Sequence, residues 1–142
     1  KCIDGLKLPV PIFIENTAGG GYAMARHEEA IERLWEAIST SDNIDQVGFC
    51  LDTCHAHAGG LDLDGLVGRI KAITGRIDLV HLNDSRDAAG SGADRHANLG
   101  EGFIDPDELV GVVRDAAAPT ILETPGGALE HLADLKWLLE RL

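Results

Sequence analysis

The segment FCLDTCHAH, residues 49–57, changes abruptly from an apolar run to an acid, a thiol and two imidazoles. A continuous apolar run is typical of a parallel strand that is covered on both faces. The residues at its end, Asp52, Cys54 and His55, are of types that bind metal ions or carry protons. We therefore interpret the segment as a buried strand that delivers polar side chains to one edge of a sheet.

Apolar runs of this kind recur along the chain, and each is followed by a polar or glycine-rich stretch and then an amphipathic segment. They predict strands over Val10–Ile14, Val47–Leu51, Ile77–Leu82 and Pro119–Leu122. Apolar residues at helical spacing predict helices over Ala23–Ser39, Leu61–Thr74, Pro106–Ala116 and, near the end, Leu129–Leu139. Asp105 and Pro106 are a favourable cap and first-turn residue for the third helix.

A β-α unit repeated in this way predicts an α/β fold with a parallel sheet. Two architectures fit the pattern: an open doubly wound sheet, and a TIM (β/α)8 barrel of which this chain would supply about half, since a whole barrel takes about 250 residues. The 142 residues are enough for one domain, and no linker or low-complexity tract divides them. We treat residues 1–142 as a single domain segment, with a flexible loop over Ser85–Ala93.

The composition narrows the functional class. A net charge of −12 argues against non-specific binding to nucleic acid, unless cations bound among the carboxylates reverse the local sign. The odd count of cysteines, Cys2, Cys50 and Cys54, predicts a reduced, cytoplasmic protein without a disulfide framework. No apolar run approaches the roughly 20 residues that span a bilayer, so we expect no membrane partner. The chain begins with Lys1 rather than Met, which is compatible with a trimmed or excised segment.

Every predicted strand ends in a residue that can bind a metal ion. These residues are Glu15 after the first strand, Asp52 and His55 after the second, His81 and Asp84 after the third, and Glu123 after the fourth. The carboxyl ends of parallel strands face the same side, so Glu15, Asp52, His81 and Glu123 should converge on one cavity. This set suits Zn²⁺, Mn²⁺ or a similar divalent ion. Each residue alone would more often be a cap or a solvated loop residue, but carboxylates crowded at one rim repel each other unless a cation is present.

A second group lies in the loop GADRHANLGEG after the third strand. Asp94 and His96 are two residues apart, so in an extended loop they project to the same side and can chelate one ion. With His55 they would form a three-ligand site. The spacing of Asp94 and His96 by itself favours the alternative, an exposed polar loop.

The motifs IENTAGGG, GFCLDTCHAHAGG, VHLNDS, GADRHANLGEGFI and ILETP, in this order and spacing, closely resemble the C-terminal half of endonuclease IV. That family comprises zinc-dependent apurinic/apyrimidinic endonucleases of base-excision repair. The resemblance covers essentially the whole chain. It implies a TIM barrel of which this chain supplies the last four β-α units, up to three zinc ions at the strand ends, and incision of duplex DNA on the 5′ side of an abasic site.

The resemblance also implies roles for individual residues. Glu15 would bridge two zinc ions, and one of these ions would be completed by Asp52, His81 and Glu123. The third ion would be held by His55, Asp94 and His96. Glu15 and Glu123 are then catalytic as ligands around the nucleophilic hydroxide. The family's first zinc needs two further histidines from earlier strands, for which this sequence has no place, so we expect the N-terminal half of the barrel, or a second copy, as a partner.

Other polar residues have weaker assignments. Arg95 is the best candidate for contact with DNA phosphates, followed by Arg86 and Arg26, although exposed arginines are usually solvated or paired with an acid. We expect His57 to lie outside the metal ligands, and Glu101 to orient the loop or a ligand histidine through a hydrogen bond. The two histidines on predicted helices, His27 and His131, look structural.

Two rival functions remain. Sugar isomerases and epimerases similar to xylose isomerase hold one metal with a Glu, Asp, His, Glu quartet, which Glu15, Asp52, His81 and Glu123 alone cannot exclude. His55 and the Asp94–His96 pair argue against that reading, because an isomerase needs no third metal. The other rival is a catalytically inactive half-barrel, whose open strand edges and apolar interior would favour aggregation or pairing with another copy.

Overall fold

The computed structural model describes residues 3–142 as alternating strands and helices. Predictions that concern Lys1 and Cys2 lie outside the described residues. The strands are β1 (Ile12–Glu15), β2 (Val47–Asp52), β3 (Leu79–Leu82), β4 (Asp84–Ser85), β5 (His96–Ala97) and β6 (Thr120–Leu122). The helices are α1 (Glu28–Ile38), α2 (Thr53–Gly59), α3 (Leu66–Thr74), α4 (Pro106–Ala116) and α5 (Ala128–Leu139), with a 3₁₀ turn over Ile44–Gln46.

The main sheet is parallel, and its strands lie in chain order, β1-β2-β3-β6. Helix α1 packs against α3 and α3 packs against α4, so the crossover helices form one layer. In a doubly wound sheet the strand order reverses and helices cover both faces. A sequential order with neighbouring helices on one side is the arrangement of a (β/α)8 barrel. The topology therefore favours the barrel over the doubly wound alternative.

The hydrophobic core lies between the two inner strands and the helix layer. All six residues of β2 are buried, and Phe49, Leu51 and Val80 are fully inaccessible to solvent. They pack in one cluster with Ile31 of α1 and Leu109 of α4, among others. Burial of this apolar surface, rather than hydrogen bonding, supplies most of the driving force for folding. The two inner strands are therefore firmly packed, and this packing fixes the positions of their carboxyl ends.

The prediction that all four strands are buried is wrong for the two outer ones. Ile12 and Phe13 of β1 are 36% and 38% exposed, and Ile121 of β6 is 47% exposed. Helix α5 also departs from expectation, because Leu129 of its predicted apolar face is 79% exposed whereas Leu138 is buried. An outer strand of the described sheet has a neighbour on one side only, so its apolar side chains are half covered.

Several predicted boundaries shift by a few residues. The first helix begins at Glu28 rather than Ala23, and the second begins at Leu66, after Gly65 in a left-handed conformation with φ of 65°. The predicted start of the third helix is confirmed, since the Asp105 side chain accepts a hydrogen bond from the Asp107 amide at 2.8 Å. Among residues 3–142, no helix has the length and apolar character needed to cross a membrane.

Candidate metal centre

The site begins where β2 passes directly into α2. Asp52 is the last residue of the strand and also the N-cap of the helix, and its Oδ1 accepts a hydrogen bond from the His55 amide at 2.6 Å. An aspartate at this position satisfies an amide that the first helical turn would otherwise leave unpaired. The chain thus enters a short helix without an intervening loop. This helix brings the His55 side chain beside the fully buried Asp52 carboxylate.

The first group of possible ligands joins the ends of β1, β2, β3 and β6. His81 Nδ1 lies 3.3 Å from Glu15 Oε1 and 3.3 Å from Glu123 Oε2. Ligand atoms of Asp52, His81 and Glu123 all lie within 4.8 Å of one another. Side chains that meet from adjacent parallel strands in this way can hold a divalent cation with one nitrogen and several oxygens. The predicted convergence of the four strand ends is therefore present in the fold.

A second group centres on Asp94, whose Oδ1 lies 3.2 Å from His55 Nε2 and 3.1 Å from His96 Nε2. The other ring nitrogens face backbone carbonyls: His55 Nδ1 is 3.0 Å from Asn16 O, and His96 Nδ1 is 3.0 Å from Glu123 O. A carbonyl only accepts, so each Nδ1 carries a proton, and in the neutral ring each Nε2 presents a lone pair. These lone pairs face a carboxylate oxygen that cannot donate to them.

This arrangement fits a metal ion. His96 Nε2 is buried and has no hydrogen-bond partner among the described residues. Two imidazole lone pairs and a carboxylate oxygen that point toward a common space repel each other, and a cation between them removes the repulsion. A hydrogen bond from Nδ1 to a carbonyl is also the usual way to orient a histidine that binds metal through Nε2.

The electrostatics of the cluster point the same way. Burial raises the pKa of the Asp52 carboxyl, because the charged form is poorly solvated there. Burial alone would lower the pKa of His55, but the carboxylates of Asp52, Asp94 and Glu15 together raise it. Without a cation, the surrounding carboxylates therefore favour a proton on His55. Excess negative charge that attracts protons also attracts divalent cations.

Two asparagines that the sequence analysis missed connect the strand ends. Asn16 follows β1 and binds the Asp52 backbone on both sides, since its Nδ2 donates to Asp52 O at 2.9 Å and its Oδ1 accepts from Asp52 N at 2.8 Å. Asn83 follows β3, and its Nδ2 donates to Asp52 Oδ2 at 2.7 Å. Both asparagines are buried. The sequence offers one indication of this role, because each asparagine directly follows a strand, in IEN and HLN.

Asp84 has a different role from the one its position predicts. It is fully buried, and its carboxylate accepts hydrogen bonds from the amides of Ser85, Gly100, Gly102 and Ile104 at 2.7–3.1 Å. A carboxylate that accepts several amide protons is already satisfied. Asp84 therefore holds the loop that follows β5 against β4 and lies outside the possible metal groups of the described residues. The predicted flexible loop over Ser85–Ala93 thus begins in a strand and is anchored at its base.

The cysteines near the cluster are buried thiols. Burial raises the pKa of Cys54 to about 11 and that of Cys50 to about 12, so neither forms a thiolate readily near neutral pH. Cys54 nevertheless lies near Asp94 and His96, with the ligand atoms within 4.8 Å of one another. Cys50 and Cys54 are free.

The remaining histidines lie apart from the two groups. His57 Nε2 is 3.1 Å from Asp87 O, His131 Nε2 is 2.9 Å from Thr124 O, and His27 precedes α1 without a side-chain capping bond. Glu101 is exposed, and within residues 3–142 no hydrogen bond or ion pair joins it to a histidine of the cluster. The predicted hydrogen bond from Glu101 to a ligand histidine is therefore not among the contacts of the described residues, and its predicted role in orienting the loop stays a prediction.

The arginines predicted to meet DNA differ in their contacts within the fold. Arg95 is exposed and forms an ion pair with Asp87, with Nε 2.7 Å from Oδ2. This pair lowers the pKa of Asp87. Arg26 Nε donates to Gly59 O at 3.2 Å, and Arg86 is exposed on the same loop as Asp87. Arg95 is thus partly neutralised by its neighbour.

Comparison with known proteins identifies relatives. Residues 7–141 match the family model described as xylose isomerase-like TIM barrel. The chain is 57% identical to "Probable endonuclease 4" of Mycobacterium ulcerans over 142 residues, which is 100% of this chain and 54% of the relative. It is 56% identical to the same-named protein of Mycobacterium tuberculosis over 141 residues, which is 99% of this chain and 54% of the relative. The chain therefore spans about half the length of the curated relatives it matches.

Among solved structures, the chain resembles the crystal structure of endonuclease IV from Thermus thermophilus. The TM-score is 0.73 and the sequence identity is 34%, over 92% of this chain and 50% of the other. These matches confirm the predicted TIM-barrel fold and the resemblance of the sequence to endonuclease IV.

Proposed function

We propose that this chain, which belongs to the xylose isomerase-like TIM-barrel family and within it to the endonuclease IV family, forms part of the multi-zinc centre of a DNA-repair hydrolase. The substrate we propose is duplex DNA with an abasic site, cleaved on the 5′ side of the lesion in base-excision repair. The names and structures of the relatives support an endonuclease that acts in DNA repair. The ligand geometry supports the multi-metal chemistry.

The second ligand group is the observation that carries the proposal. A sugar isomerase with one metal would use the first group, at the ends of the four parallel strands. Such an enzyme has no use for Asp94 placed 3.2 Å and 3.1 Å from the Nε2 atoms of His55 and His96. Two groups that share a rim are the arrangement expected for hydrolysis of a phosphodiester by more than one metal ion.

Glu15 lies beside His81 of the first group and faces the Nδ1 side of His55, opposite the Nε2 that faces Asp94. Its Oε1 lies 3.1 Å from His55 Nδ1 and 3.3 Å from His81 Nδ1. When bound here, zinc or another divalent ion such as Mn²⁺ would activate water as a nucleophile and stabilise charge on the phosphate oxygens. Asp52, at the end of the buried strand β2, is already oriented by hydrogen bonds from His55 and Asn83, so this part of the centre needs little reorganisation when the substrate binds.

The open side of the centre is where we propose that DNA binds. The side chains of Asp94 and Glu123 are 58% and 42% exposed, whereas that of Asp52 is fully buried. Because the chain carries a net charge of −12, DNA phosphates need local positive charge to approach. Bound divalent ions would supply most of that charge, and Arg86 and Arg95 would contribute to it.

The test is incision of a duplex that contains one abasic site, with the intact polypeptide loaded with zinc. We expect cleavage on the 5′ side of the lesion, reduced at least about 100-fold in Glu15→Ala and His55→Ala, because ligand loss costs more than the 10- to 100-fold of a supporting residue. His27→Ala, an exposed histidine outside both groups, is the matched control. Incision that survives both ligand substitutions, or less than one zinc per chain in a metal-replete sample, would contradict the proposal. Isomerisation of a sugar without any incision would favour the rival enzyme.

We also propose partners for the outer strands and a location for the protein. The half-exposed apolar residues Ile12, Phe13 and Ile121 support pairing of the sheet edges with further barrel units or with a second copy. If residues 1–142 sediment as a compact, folded monomer, this pairing is contradicted. The buried free thiols Cys50 and Cys54 support a reducing compartment, the cytoplasm, and a disulfide between protomers isolated from cells would contradict it.

A further inference from the structure

We propose that Asn83 is a positioning residue of the metal centre, which sets the orientation of the Asp52 carboxylate and the place of Glu123 before any ion binds. This inference rests on the proposed function, because it assumes that Asp52 and Glu123 are ligands. Asn83 itself is not expected to bind metal. It acts through two neighbours that do.

The side-chain amide of Asn83 reaches the ends of two other strands. Its Nδ2 donates to Asp52 Oδ2 at 2.7 Å on β2, and its Oδ1 accepts from the Glu123 amide at 3.0 Å after β6. Asn83 is fully buried. An amide side chain offers a donor and an acceptor fixed in one plane. An aspartate here would place an oxygen against the Asp52 carboxylate, and a leucine would leave both partners unpaired.

Asn83 is in turn held by Thr53, the first residue of α2. Thr53 Oγ1 donates to Asn83 O at 2.6 Å and accepts from Asn83 N at 2.9 Å. Thr53 is also fully buried. The backbone of Asn83 therefore has its own fixed position, and its amide does not depend on a bound ion for orientation.

Rotation of the Asp52 carboxylate would affect both groups of possible ligands. Asp52 lies in the first group with His81 and Glu123. Its carboxylate is also within 4.8 Å of ligand atoms of His55 and His96, which belong to the second group. The His55 amide holds Oδ1 at 2.6 Å, and Asn83 holds Oδ2. With both oxygens held, the carboxylate plane is fixed toward both groups. Without the Asn83 donor, Oδ2 is free to turn, and both groups lose a placed ligand.

Asn16 provides an informative contrast. It is also a buried asparagine at a strand end that binds Asp52, but it contacts only the backbone N and O of Asp52. Its bonds continue the pairing of β1 with β2 beyond the ladder. The contact of Asn83 is with the carboxylate itself, which is why Asn83 rather than Asn16 is assigned the positioning role.

The experiment is a Co²⁺ titration of the metal-free intact polypeptide, monitored by visible absorption, for the wild type, Asn83→Ala and Asn98→Ala. Asn98 is the matched control, since its Nδ2 also makes two hydrogen bonds, to Pro125 O and Asp134 Oδ2, but touches none of the ligands. Thermal unfolding of the metal-free variants is measured in parallel. Asn83→Ser, whose hydroxyl is too short to reach both partners, is the second variant if Asn83→Ala does not fold.

We expect Asn83→Ala or Asn83→Ser to bind Co²⁺ about 10- to 100-fold more weakly than the wild type, with an altered absorption spectrum. Asn98→Ala should lose similar thermal stability but keep the wild-type affinity and spectrum. Wild-type affinity in the folded Asn83 variants would overturn the positioning role alone. Absence of Co²⁺ binding by the wild type would overturn the proposed metal centre and this inference with it.

Discussion

The inner and outer strands of the sheet differ in how deeply the residues at their carboxyl ends are buried. Strand β2 is buried along its whole length, and its terminal residue Asp52 has a side chain that is 0% exposed. The outer strands β1 and β6 carry half-exposed apolar residues, and the side chains of Glu15 and Glu123 at their ends are 33% and 42% exposed. The candidate metal centre is therefore assembled from ligands in two different environments.

The difference means that one kind of ligand is held rigidly, whereas the other is accessible to solvent. The buried ligand is fixed by hydrogen bonds from His55 and Asn83, which hold its carboxylate in one orientation. The exposed carboxylates have fewer fixed contacts, so they can accept an ion and a substrate from solvent. A centre needs both kinds: a fixed part that gives preorganised geometry, and an open part that admits the phosphate.

The largest effect on stability should come from a substitution that tests the two kinds of strand directly. Leu51 of β2 is fully buried, whereas Ile121 of β6 is 47% exposed. We expect Leu51→Ala to lower the free energy of unfolding by about 2–5 kcal/mol, because it leaves a cavity in the core. Ile121→Ala should cost about 1 kcal/mol or less. Urea unfolding of the two variants measures the difference, and equal losses would show that β6 is as well covered as β2.

A smaller effect should distinguish the ligands themselves in the metal-free protein. Asp52→Ala removes the helix cap of α2 and leaves Asn83 Nδ2 buried without a partner, which together cost about 1–3 kcal/mol. The loss is no larger because burial raises the pKa of Asp52 and so already disfavours its charged form. Glu123→Ala should change the unfolding free energy by about 0.5 kcal/mol or less.

The measurement is denaturant unfolding in the presence of a chelator, followed by the same series with zinc. Both variants should lose most of the stabilisation that zinc gives the wild type, since binding to the native state alone stabilises it. Equal stability of the two metal-free variants would contradict the division between fixed and open ligands.

The smallest effect concerns the start of α5, beside the outer strand β6. The Gly127 amide donates to Glu130 Oε2 at 2.8 Å, and this bond lowers the pKa of the Glu130 carboxyl from its usual 4.5. A lowered acid pKa gives stability that is present above the unfolded pKa and lost as pH falls through the folded one. Glu130→Gln should therefore lower the melting temperature slightly at pH 7 and have a smaller effect below pH of about 4.

The control for this prediction is Glu140→Gln, an exposed acid immediately after the last turn of the same helix. It should not cause the loss of stability at pH 7 expected for Glu130→Gln, because a side chain at the helix C-terminus has no free amide donors to accept from. A melting-temperature difference for Glu130→Gln that stays constant from pH 7 to pH 3 would rule out the cap as its cause.

The convergence of the strand ends was predictable, because parallel strands bring their carboxyl ends to one edge and the chain places an acid or a histidine at each end. Asp52, His81 and Glu123 follow from this rule alone. The contribution of Asp94 and His96 was harder to predict, since two polar residues in a loop more often face solvent. Only the folded structure shows that His55 and His96 both approach the Asp94 carboxylate.

Other features lay beyond sequence reasoning for physical reasons. The capping role of Asp52 depends on a helix that begins with no loop after β2, and a seven-residue helix has too short an apolar pattern to be recognised. Asp84 looked like another ligand, but only the folded loop shows that four amides already occupy its carboxylate. The partial exposure of Phe13 and Ile121 depends on which strands have neighbours on both sides.

The sequence by itself determined the order of β-α units, the apolar inner strands and the residue types at their ends, because strand and helix periodicity and strand direction are local or topological properties. Tertiary structure decided which polar residues meet and what each one contacts. Asp52 and Asp84 have the same side chain at similar positions, yet one faces the imidazoles of the candidate metal centre and the other closes a loop. Contacts between residues distant in sequence fix that difference, and they exist only after the strands have come together.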